Sequence, residues 1–122
     1  MQSAIAQQIP DIIQLVVASL NDCNKSADFP QLFTEDAKLT FETTKKESRD
    51  HVVALFQEKQ KTLDAKGPFS VTKYSFVIVS ETEIIINGLA QWGGVNNLLT
   101  ICFQISKDQK LQISNFMLTK LA

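Results

Sequence analysis

Few side chains in this chain of 122 residues have the type and spacing to do acid–base, nucleophilic or metal chemistry. Its one histidine, His51, directly follows Asp50. Adjacent residues on a helix point in different directions, so the two are not expected to form a dyad, and His51 reads as a rim or solvent residue. Of the two cysteines, Cys23 falls in a polar stretch and Cys102 in an apolar one without a cationic neighbour. Such a thiol behaves as a small apolar residue rather than as a nucleophile. One histidine and two distant cysteines do not supply the converging ligands that zinc requires, so neither a metal nor a cofactor is expected. The remaining polar candidates are Tyr74, Asn87, Gln91, Cys102 and Asn115, all read as inward-facing on late strands. They have groups that could hydrogen-bond a ligand, but no Asp–His pair or paired carboxylate accompanies them.

The elements that would position these residues follow from hydrophobic spacing. Ile5, Ile9, Ile12, Ile13, Val16, Val17 and Leu20 recur every three or four residues, predicting a helix over 3–21. Pro10 falls inside that run and is expected in a first turn, with the main helix over 10–20. Residues 21–26 read as a turn. Asp28 and Pro30 suit the start of a short second helix whose apolar side is Phe29, Leu32 and Phe33. Thr34, Glu35 and Asp36 read as an acidic turn, followed by an alternating strand with Leu39 and Phe41 on one face and Lys38, Thr40 and Glu42 on the other. Lys45, Lys46, Glu47 and Arg49 read as a solvated loop. Ser48 is a plausible cap for a third helix reaching Leu63, with Val52, Val53, Leu55 and Phe56 as its buried stripe. Phe33, Phe41, Val53 and Phe56 are expected to join helices to sheet.

Lys66-Gly67-Pro68 stops that helix, and the rest of the chain is strand-rich. Strands are predicted over 71–80, 84–92, 98–106 and 111–121, with a loop at Gly93-Gly94-Val95-Asn96-Asn97. Helices followed by hairpins make one α+β domain over 1–122: a curved antiparallel sheet with three N-terminal helices packed in its concave face. Formal net charge is −1 and the basic residues are scattered, so nucleic acid is not an expected partner. The first residues lack a basic region followed by an apolar core, and no apolar run is long enough to span a bilayer. The expectation is a soluble intracellular protein, cytoplasmic or nuclear, without a membrane partner.

The strands carry apolar residues of both parities: Ile84, Ile85 and Ile86 are consecutive, as are Leu98 and Leu99, and Phe116, Met117 and Leu118. One face covers the helices, and the other then carries more apolar surface than water tolerates comfortably. A homodimer, or a heterodimer with a similar domain, is expected to cover it. The candidate interface is Trp92, Leu99, Phe103, Phe116 and Leu118, with Trp92 able to serve as an anchor or a core lid.

The order helix, acidic turn, Leu39–Phe41 strand and helix, closing on Leu111-Gln112-Ile113-Ser114-Asn115-Phe116-Met117-Leu118, resembles the nuclear transport factor 2-like superfamily over nearly the whole chain. The resemblance implies a cone-shaped α+β fold, and it differs at Ser48, where family members commonly have glycine. It implies one of two kinds of function, because that fold hosts enzymes and binding modules alike. The first is a non-catalytic module that dimerises through its sheet and binds a protein partner, with nucleocytoplasmic transport as the setting its namesake suggests. The acidic loop with which nuclear transport factor 2 engages Ran corresponds to residues 93–97, which hold no carboxylate. The second is a small-molecule-binding or isomerase/dehydratase-type member, like SnoaL or ketosteroid isomerase. The base of that class falls at Phe41, so Glu42 beside it, with Tyr74, Asn87 and Gln91, would form the pocket. A shift of one residue on a strand reverses the face, which turns Glu42 toward solvent and favours the first kind.

Overall fold

The computed structural model describes residues 2–24, 27–63 and 65–121, with side chains from residue 5 onward. Among the described residues there are two α-helices, α1 (Gln2–Asn21) and α2 (Arg49–Leu63), and six strands. The strands are β1 (Phe33–Phe41), β2 (Thr44–Glu47), β3 (Ser70–Ser80), β4 (Glu83–Trp92), β5 (Val95–Ile105) and β6 (Leu111–Lys120). They form one sheet in the order β2-β1-β6-β5-β4-β3.

Several expectations need correction. The second of the three expected helices is a single 3-10 turn, Phe29–Leu32, so the concave face holds two helices and that turn. Pro30 supports the turn but the extended Phe33 ends it at once. The sheet is mixed, because β1 lies parallel to β6 while the other pairs are antiparallel. The chain crosses over through α2, β3, β4 and β5 before β6 returns beside β1, and a crossover of that length permits parallel pairing. The acidic Thr34-Glu35-Asp36 segment is strand rather than turn; the β1–β6 register shifts between Phe33 and Lys38, so the segment is accommodated as an irregularity. The expected turn over 21–26 includes Lys25 and Ser26, which lie outside the described residues.

α1 runs straight through Pro10 instead of starting there. Proline removes one backbone hydrogen bond, but the stripe Ile5, Ile9, Ile13, Val16 and Leu20 is buried on both sides of it and holds the helix against the sheet. α2 is bound by Val52, Val53, Leu55 and Phe56, the stripe the spacing predicts. Its first residue fixes it to the sheet, since the Arg49 guanidinium donates twice to the Phe33 carbonyl, at 3.0 and 2.8 Å. Ser48, just before it, has φ 75°, a left-handed conformation that glycine adopts without strain.

A buried polar latch joins the end of α1 to α2. The Gln60 side-chain oxygen accepts from the Asn24 backbone N–H at 3.0 Å, from the Asn24 side chain at 2.7 Å and from the Cys23 thiol at 3.1 Å, while its amide donates to the Asn21 carbonyl. Asn21 in turn clamps Phe69, accepting from its N–H at 2.7 Å and donating to its carbonyl at 2.8 Å. These bonds satisfy part-buried backbone groups of Asn21, Asn24 and Phe69.

Candidate functional site on the outer face of the sheet

Both kinds of function imply a definite state for the inside of the cone: open for a pocket, filled for a binding module. Aromatic rings occupy it. Phe29, Phe33, Phe56, Phe69, Trp92 and Phe116 are each at most 1% exposed. Phe56 sits at their centre, with Phe116 edge-on at 5.0 Å, Phe33 stacked at 5.7 Å and Trp92 tilted at 6.0 Å. Phe69 and Phe41 approach Trp92 edge-on at 5.7 and 5.8 Å. Offset and edge-to-face packing of this kind adds to what burial alone contributes. Phe33, Val53 and Phe56 therefore join helices to sheet as expected, with Phe41 half-buried beside them and its ring under the Lys59 ammonium at 5.4 Å. The Trp92 indole N–H is buried there without a hydrogen-bond partner.

The expected pocket residues do not converge. Glu42 is exposed at φ 58° in the turn between β1 and β2, beyond the end of the strand. Tyr74 lies half-buried on β3 at the far edge, with β6, β5 and β4 between it and β1. Asn87 and Gln91 lie on the outer face, because Ile84, Ile86, Ala90 and Trp92 take the inner face of β4 and side chains alternate. Their polar groups have partners there: Thr100 donates to Asn87 at 3.1 Å, and Gln91 donates to Asn96 at 2.7 Å. Cys102 and Asn115 face each other across β5 and β6 on that same outer face. His51 is exposed, and its Nδ1 lies 3.0 Å from both the Ser48 hydroxyl and the Glu47 carbonyl. Among the described residues, no three His, Cys, Asp or Glu side chains gather to hold a metal ion, and no helix is long and apolar enough to cross a membrane.

The candidate interface residues are core residues. Trp92, Leu99, Phe103, Phe116 and Leu118 all face the helices and are at most 1% exposed. Apolar runs of both parities mark a strand with two demanding faces but do not say which parity lies inside. The accessible apolar residues are their neighbours. Leu89 and Leu98 pair directly across β4 and β5, with Leu98 49% exposed, and Val77 pairs with Ile85 on the same outer face. Met117 and Thr100 continue this surface toward β6.

Beside Leu89 and Leu98 is an open depression of about 450 Å³, bordered by Lys73, Ser75, Asn87 and Thr100. Gly88 forms its floor, and sequence reasoning passed over it, although an isolated glycine inside a strand pattern is a sign of a close backbone approach. A Cβ at Gly88 would lie 2.2 Å from the Lys73 carbonyl oxygen, so β3 folds closely over β4 at this point. The register shift between Val71 and Lys73 falls on the same bend. A perturbed titrating group also lies on this face: burial, and then the nearby Glu83 carboxylate, push the Cys102 thiol up from its ordinary value.

No protein-family model and no curated protein sequence matches the chain. Solved structures do match. A cystatin-like-fold protein from Caulobacter vibrioides superposes with a TM-score of 0.80 at 12% identity, over 96% of this chain and 89% of that one. A nuclear transport factor 2-like protein with a cystatin-like fold from Novosphingobium aromaticivorans does so at 0.78 and 11%, over 98% and 84%. ActVI-ORFA from Streptomyces coelicolor matches at 0.78 and 12%, over 94% and 96%. The chain therefore has the nuclear transport factor 2-like, cystatin-like fold. At these identities the likeness concerns the fold, and function is a question for the site.

Proposed function

We propose that the protein is a non-catalytic binding module that works through the outer face of its sheet and engages a protein partner there. The observation that supports this most is the aromatic filling of the cone, together with the outward placement of Asn87 and Gln91, which leaves Tyr74, opposite Gly88 at the far edge of the sheet, as the one expected pocket residue on the inner parity. General acid–base chemistry needs a titrating group sheltered beside its substrate, and Glu42 and His51 are both exposed. The outer face offers what a protein partner requires: apolar side chains at Val77, Leu89 and Leu98 set among polar groups that already have partners, the composition of an interface core with a polar rim. The reading specifies a surface, not a cellular setting such as nucleocytoplasmic transport.

Affinity capture from the native source tests it, with the wild-type protein and a Leu89→Glu/Leu98→Glu double variant as baits. The expected result is a defined partner retained by the wild type and lost by the variant, whose circular dichroism is unchanged. Equal retention by both baits, or a small molecule that co-purifies and maps to the cone interior, would sink the proposal.

A further inference from the structure

The two edges of the sheet are built differently. β2, at one edge, has four residues, Thr44-Lys45-Lys46-Glu47, the last three exposed. A short charged edge strand of this kind discourages pairing with another chain. β3, at the other edge, has eleven residues and no proline. Its only charge is Lys73, and Phe76-Val77-Ile78-Val79 is a continuous apolar run. Strands with apolar residues on both faces are normally found inside a sheet, between two neighbours. β3 has a neighbour on one side only, β4, among the described residues. Phe76 on one of its faces is 38% exposed and Val77 on the other 58%. Register shifts bound a regular stretch, residues 73–78, whose free backbone groups face away from β4.

We propose that this edge pairs with the same edge of a second copy, antiparallel, to give one sheet running through both molecules. The inference rests on reading the protein as a binding module and goes beyond it by adding a second copy of the chain at the sheet edge, apart from the partner on the outer face. The stretch is self-complementary. In a two-fold pairing that keeps both sets of helices on the same side, the centre falls on Ser75 or on Phe76. Phe76 then meets the partner's Tyr74 or the partner's Phe76, aromatic pairs of the kind that stabilise adjacent strands. Lys73 meets an apolar residue, Val77 or Val79, and no like charges oppose each other. The pairing is isologous and uses up both free edges, so it closes at the dimer. The contact is confined to one edge and buries less than the roughly 800 Å² per partner of a standard interface, so the dimer forms reversibly with concentration.

Sedimentation combined with amide hydrogen exchange tests the pairing in the full chain. The wild type is expected to pass from monomer to dimer as concentration rises, with alternate β3 amides becoming protected in step. Val77→Lys, at an exposed position, brings its charge opposite the partner's Lys73 or the partner's Ser75. It is expected to weaken association by roughly tenfold or more while leaving circular dichroism unchanged. A monomer throughout, growth beyond the dimer, or a dimer whose β3 amides exchange equally fast at every concentration overturns the proposal. In each case, loss of partner capture by the Leu89→Glu/Leu98→Glu variant would still support the binding-module reading, so the two failures are distinguishable.

Discussion

The two faces of this sheet are drawn from the same strands, often from adjacent residues, yet they differ in kind. Trp92, Leu99 and Phe116 face the helices and are sealed, while Gln91, Leu98 and Met117, one residue away on the same strands, face outward. The inner face holds its residues through ring packing that tolerates little change. The outer face combines polar groups that have partners, such as Asn87, Gln91 and Thr100, and the unpartnered Asn115 side-chain oxygen with accessible apolar side chains. In a fold whose interior is available to ligands in principle, aromatic side chains are packed in that interior, and the surface proposed above for recognition is the outer one.

Substitutions on the inner face should have the largest effects. Phe56→Ala removes the ring on which the cluster converges and is expected to destabilise the protein by about 3–5 kcal/mol in chemical denaturation. A loss below about 1 kcal/mol would mean that the ring is not where the packing converges. Gln60→Leu is expected to cost about 1–3 kcal/mol, because it leaves the Asn24 N–H and the Asn21 carbonyl without their partner. The outer-face pair Leu89→Glu/Leu98→Glu is expected to change stability by no more than about 0.5 kcal/mol per site, as exposed substitutions do. Losses as large as that at Phe56 would make the outer face part of the core and erase the contrast.

The smallest effect concerns reactivity rather than stability. Glu83 raises the Cys102 pKa because a second negative charge disfavours the thiolate. Glu83→Gln should lower that pKa and speed alkylation of Cys102 at neutral pH, with the rate difference shrinking once the pH is high enough to ionise both proteins. An unchanged rate would mean that burial alone sets the shift.

The sequence resolved the elements better than their faces. β4 and β6 begin within a residue of their predicted starts, and the stripe on α2 is the predicted one, because a helix with one polar side leaves no ambiguity. β4 offers no such contrast. With Ile84, Ile85 and Ile86 consecutive, either parity could face the core, and the parity that includes Trp92 does. That single choice moved Asn87 and Gln91 out of a supposed pocket and moved Trp92, Leu99, Phe103, Phe116 and Leu118 out of a supposed interface. Lys45, Lys46 and Glu47 have poor strand propensity and predict a loop, but pairing with β1 overrides that propensity and makes them β2. The parallel β1–β6 pairing is a long-range contact that no local pattern encodes.

Trp92 tests the central claim directly, because it is the chain's only tryptophan and lies inside the cone at 1% exposure. Its fluorescence should be blue-shifted and nearly insensitive to acrylamide in the native protein, and strongly quenched once urea unfolds the chain. Native quenching as efficient as in the unfolded chain would show a cone open to small molecules and would contradict the assignment of function to the outer face.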